Sequence, residues 1–78
     1  MRTQDIVVGE YYRHVSSPTY GYARAIEILR PKPAYKCKTE FERAIKTTVV
    51  RCAWSVDKDN LYGRIRYFKP AFLQKDQP

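Results

Sequence analysis

The sequence predicts a mainly β domain: a small five-stranded barrel with a short helical turn in an excursion over residues 30–46 and a 3-10 turn near the C-terminus. Three observations lead there. Residues 47–73 hold two apolar runs split by the polar segment Asp57-Lys58-Asp59-Asn60, the pattern of a β-hairpin with a long connection. Residues 20–29 form a long apolar stretch bracketed by Pro18 and Pro31. The composition, 44% hydrophobic and 14% aromatic in 78 residues, provides apolar side chain for one compact core and no more than one domain.

Residues 1–5 read as a polar lead-in and 74–78 as a tail, leaving 6–73 as the ordered core. Ile6 to Arg13 is strand-like, and Gly9 marks a bend or bulge within it. His14 to Thr19 follows as a loop. His14 beside two serines has no carboxylate placed to orient an imidazole, so a nucleophile pair is not expected there. Tyr20 to Leu29 is the longest strand, its alanines arguing for helix but Gly21 and the flanking prolines arguing against. A bulge midway is expected to turn Ala23 and Ala25 inward first and then Ile28, letting one strand curl as a small barrel requires.

The excursion begins where Pro31 and Pro33 break the strand. Thr39-Glu40-Phe41-Glu42 matches a capping box, so a helical turn over 40–46 with Phe41 and Ile45 on one face is predicted, against a competing extended path. In the hairpin, Val50, Cys52, Trp54 and Val56 alternate on one face, with Arg51 and Ser55 on the other. The second hairpin strand is Arg64 to Phe68, and Lys69-Pro70 stops it because proline offers no N–H to the ladder.

The net charge is +7, which favours a polyanionic partner: nucleic acid or an acidic protein surface. Cys37 and Cys52 lack Cys-x-x-Cys spacing and His14 is the only histidine, so no metal and no cofactor are expected. Cys52 fits a buried free thiol, and Cys37, among lysines, is either reactive or incidental. The N-terminus carries no apolar leader pattern and no run reaches membrane-spanning length, so a cytoplasmic protein without membrane contact is expected.

Val8-Gly9-Glu10-Tyr11-Tyr12, Tyr22-Ala23-Arg24-Ala25-Ile26, Val49-Val50-Arg51-Cys52-Ala53-Trp54 and Gly63-x-Ile65 through Phe72-Leu73 together resemble the strands of small SH3-like barrels of the Tudor and KOW type. The resemblance covers most of the chain outside 30–46. It implies an aromatic cage for a methylated cation, to which Tyr11, Tyr20, Tyr62 and Trp54 would contribute; core packing of the same rings is the competing reading. In overall texture the chain also resembles short proteins of bacteriophages and prophages, which would place it in a bacterial host cell.

The candidate contact residues are Arg51, Arg64 and Arg66, expected on one sheet face, extended by Arg24 and Lys69, with Tyr62 and Tyr67 for stacking and Glu27 or Asp59 as possible neutralising acids. In the excursion, Lys32, Tyr35, Lys36, Lys38, Phe41 and Arg43 form a second candidate surface. The expected function is a non-enzymatic nucleic-acid-binding module. The alternative is a phage-encoded inhibitor or adaptor, anti-CRISPR-like, that docks on a host nucleic-acid-handling enzyme. No glycine-rich phosphate loop or Cys–His pair points to an enzyme. A monomer is expected over an edge-paired dimer.

Overall fold

Five short antiparallel strands make one sheet, and the side chains that alternate to its inner face make the core. The structure, a computed structural model, describes residues 1–17, 19–58 and 63–76. The strands are β1 (Tyr11–His14), β2 (Tyr22–Leu29), β3 (Val49–Ser55), β4 (Arg64–Phe68) and β5 (Leu73–Lys75), ordered β4-β3-β2-β1-β5. The first four form a meander. β5 returns through a 3-10 turn, Pro70–Phe72, to lie beside β1. The edge strands β4 and β5 do not pair, so the expected five-stranded arrangement stays open along one seam.

β2 carries the predicted bulge. Ala25 pairs with Cys52 but Glu27 pairs with Arg51, so Ile26 is the extra residue. That one step keeps Ala23, Ala25 and then Ile28 on the core side. The core is Ile6, Tyr12, Ala23, Ala25, Val50, Cys52 and Leu73, against which Met1, Ile28, Trp54 and Phe68 pack. The two alanines leave room for neighbouring strands to approach, and the larger Tyr12 and Leu73 fill the volume from β1 and β5.

The opening and closing segments differ from the sequence reading. Residues 6–10 turn rather than extend: Thr3–Asp5 is a 3-10 turn, Gly9 has φ +98°, and the strand begins only at Tyr11. The turn is nonetheless anchored. The Val7 N–H donates to the Tyr12 hydroxyl at 2.7 Å, and the Gly9 N–H donates to the Ala25 carbonyl at 2.8 Å. His14 ends β1 instead of opening a loop. Val56 lies past the end of β3 and is 58% exposed, so alternation onto the core face stops at Trp54. Gln74 and Lys75, expected in the tail, belong to β5.

The excursion forms the predicted helical turn, but over 40–44 rather than 40–46, and with only the Thr39 half of the capping box made. A single helical turn, α1 (Glu40–Ala44), starts at Thr39, whose hydroxyl accepts the Glu42 N–H at 3.1 Å. The Glu42 side chain reaches Lys32 Nζ at 2.8 Å, closing the loop back toward its start. This hydrogen bond from Lys32 holds the Glu42 carboxyl below its ordinary range. Both cysteines are free and buried. Cys37 Sγ lies within donor reach of the Lys32 and Pro33 carbonyls, which makes it a small buried packing group rather than an exposed thiol among lysines. Burial pushes the Cys52 thiol up to about 12, so it stays protonated and acts as a hydrophobe.

Candidate functional site

Residues directly opposite in an antiparallel ladder share a face, and the register therefore sorts the candidate residues into two groups. On the outer face, Glu27 stands beside Arg51 and Arg51 beside Tyr67 across β2, β3 and β4. Arg24, opposite Ala53 and Tyr11, is on that same side. On the inner face, Phe68 is opposite Val50, Arg66 opposite Cys52 and Arg64 opposite Trp54. The expectation that Arg51, Arg64 and Arg66 form one patch is thus corrected. Alternation on β3 and β4 is the same, but the register pairs Arg51 with Tyr67, one step away from either arginine of β4.

The inner-face pair lies along the open seam. Arg64 and Arg66 are exposed, and among the described residues neither has a carboxylate within ion-pair distance. Facing them across the seam are His14, Ser16, Ser17 and Tyr20, with Trp54 as the floor. Two clefts of about 310 and 390 Å³ share Tyr20, Trp54 and Arg66 and so form one continuous groove. Its ring system is held in place from below. Trp54 and Phe68 are 5.8 Å apart by centroid, Phe68 meets His14 edge-on at 5.4 Å, and His14 stacks on Phe72 at 5.8 Å. The Ser16 N–H donates to His14 Nδ1 at 3.1 Å, which fixes that nitrogen as an acceptor and orients the ring.

The outer face is more nearly neutralised. Arg51 Nη1 is 3.9 Å from Glu27 Oε1, so Glu27 is the neutralising acid, while the Arg51 Nε is buried without a partner. Tyr67 packs on Phe41 of α1 at 5.3 Å and stays 45% exposed, so the excursion covers only one side of its ring. Lys69 is exposed just past β4. Tyr62 and Asp59 lie outside the described residues.

Within the excursion, Lys32 pairs with Glu42 and Arg43 with Glu40 at 2.9 Å, so two of its predicted cations are locally balanced. Tyr35 is exposed with Lys36 over its ring at 5.8 Å, and Lys38 is exposed.

The cage implied by the resemblance is not assembled from the expected rings. Tyr11 is on the outer face, edge-on to Tyr22 at 6.2 Å, whereas Trp54 and Tyr20 line the inner groove. The Tyr11–Tyr22 pair already holds the chain's own cations: Lys58 Nζ is 5.0 and 5.5 Å from the two rings, and the Arg13 guanidinium is 4.0 Å from Tyr22. Asp76 joins them, accepting from Lys58 at 2.8 Å and Arg13 at 3.0 Å. The residue was assigned to the tail, and nothing in its local sequence signals this role.

The hydrogen bond from Lys58, with the nearby Arg13, holds the Asp76 carboxyl below its ordinary value of 3.8. A depressed carboxylate stabilises the fold above its unfolded pKa and loses that contribution as pH falls through the folded value. The stability gap between the native chain and Asp76→Asn is therefore expected to hold from neutral pH down to about 4 and to close below it. Urea titrations of both chains at a series of pH values measure this. A gap that is flat through the acid range would show that the carboxylate is not the source.

Among the described residues no group of three His, Cys, Asp or Glu side chains is placed to hold a metal ion, and no helix is long and apolar enough to cross a membrane. Comparison with protein-family models, with curated proteins and with solved structures gives no match to this chain.

Proposed function

We propose that the chain is a non-enzymatic nucleic-acid-binding module and that its contact surface is the inner groove at the open seam. The observation that carries this reading is the placing of two guanidiniums, Arg64 and Arg66, with no carboxylate partner among the described residues, beside Trp54 and Tyr20 in one groove. Guanidiniums bind phosphates by charge and by their planar fork of donors, and ring faces take bases. The net charge of +7 adds long-range attraction to a polyanion. The fold reading that accompanies it is a small SH3-like barrel of the Tudor or KOW type left unclosed between β4 and β5. Its support is the four-strand meander with a 3-10 turn returning β5 to β1.

The test is charge reversal. Arg64→Glu with Arg66→Glu is expected to abolish oligonucleotide binding at physiological salt and to reduce the salt slope of what remains by about two. Arg24→Glu on the outer face changes binding little. Fluorescence anisotropy with a labelled oligonucleotide reads both variants against the native chain; undiminished binding by the double variant overturns the proposal.

One observation favours a second reading, an inhibitor or adaptor of the small phage-protein kind that docks on a host enzyme. Ile65, Tyr67 and Phe41 stand exposed beside one another on the outer face, an apolar contact area next to Arg24 and Arg51. A complex with an acidic protein that survives nuclease treatment and is lost on Tyr67→Ala would select this reading.

A further inference from the structure

We infer that the groove takes single-stranded nucleic acid, one base lying on the Tyr20 ring above the Trp54 floor and successive phosphates on Arg64 and Arg66. The inference rests on the nucleic-acid reading and deepens it.

Tyr20 is 62% exposed, and among the described residues its ring makes no ring contact and its hydroxyl no hydrogen bond. A large ring held out in solvent forfeits the burial that usually fixes it, so a free face at the mouth of a groove is a surface for a flat partner. Trp54 is different: it is half-buried, and its benzene edge lies so close to Gly21 that a Cβ there would come within 2.3 Å of the ring. The floor is therefore fixed by the backbone beneath it, while the wall is free to meet a ligand.

The opposite wall has a built-in spacing. Arg64 and Arg66 are two residues apart on one face of a strand, about 7 Å along its axis. That is comparable to the separation of neighbouring phosphates on an extended nucleic-acid strand, so each guanidinium can meet one phosphate. A duplex does not satisfy the same groove, because its bases are paired and stacked and their faces are not offered to a protein ring. Ring stacking accepts any base, and the Ser16 hydroxyl on the groove wall is already engaged with His14 Nδ1 at 2.7 Å. Little sequence preference follows.

Trp54 is the only tryptophan in the chain and lies on the groove floor, so its emission reports occupancy directly. The experiment titrates the full chain at physiological salt with an oligothymidylate, an abasic single strand of equal length and a duplex of that length. Anisotropy of the labelled nucleic acid and Trp54 emission are followed together. The oligothymidylate is expected to bind about tenfold or more tightly than the abasic strand and to quench Trp54. Tyr20→Ala should reduce its binding to the abasic level and leave the abasic strand's own binding unchanged, whereas Tyr20→Phe, which keeps the ring, retains the difference. Equal binding of all three nucleic acids, or no effect of Tyr20→Ala, overturns the single-strand inference and leaves phosphate binding standing. Absence of binding by all three, at low salt as well, overturns both.

Discussion

Replacing Leu73 with alanine is expected to remove a large part of the fold's stability. Leu73 is 1% exposed and is among the largest fully buried side chains of the chain. The other fully buried hydrophobic positions among the described residues are small or medium: Ala23, Ala25, Val50 and Cys52. They cannot shift far enough to fill the space a leucine leaves, so the variant bears both the lost transfer of the side chain from water and the cost of a cavity. Together these amount to roughly 2–5 kcal/mol for a Leu→Ala change. A domain of this size has roughly 4–12 kcal/mol in total. The effect has a location too. Among the described residues β5 has three residues and pairs with β1, so burial of the Leu73 side chain is a main anchor of so short a strand. Urea unfolding followed by Trp54 emission measures the loss, and Leu73→Met, which conserves volume, should cost less than about 1.5 kcal/mol. A Leu73→Ala chain with an unchanged midpoint would show that β5 does not anchor the core.

That dependence on β5 was not legible in the sequence, although most of the fold was. Period-two alternation is a property of each strand alone, and it located β3 and β4 closely; the proline-bounded run located β2 and the Thr39 capping box located α1. The bulge in β2 was readable because two alanines and then an isoleucine must all face inward, which strict alternation forbids. Three residues of β5 are too few to show a period, and the segment's polar Gln74 and Lys75 look like a tail. The candidate site failed at a different level. Whether Arg51 joins Arg64 and Arg66 depends on cross-strand register, and the hairpin connection that sets register is long and carries no defining turn signal. Tyr20 could be nominated as a ring but not placed, since its position follows from Gly21 and an open seam that no local pattern announces.

The second large effect is expected at Gly21, and it links that seam to the fold. Gly21 has φ +80°, a region where side-chain-bearing residues pay a conformational penalty, and it lies directly beneath Trp54. A Cβ at this position would sit 2.3, 2.8 and 2.9 Å from three atoms of the indole ring. A flexible side chain could swing away from such a contact. The indole is rigid, and behind it stands Phe68, itself packed on His14. Gly21→Ala therefore adds an overpacking cost of about 1–3 kcal/mol to a left-handed backbone cost of about 1–2 kcal/mol. Gly9 provides the comparison: its φ of +98° carries the backbone cost, but among the described residues a Cβ there meets nothing within 4 Å. Gly9→Ala is thus expected to lower stability by the backbone cost alone and to leave Trp54 emission unchanged, while Gly21→Ala lowers it further and shifts the emission as the ring is forced toward solvent. Chemical denaturation of the two variants side by side isolates the steric part as their difference. Equal losses, with native-like Trp54 emission in both, would mean that the groove floor yields freely, and that the indole is not held by the backbone beneath it.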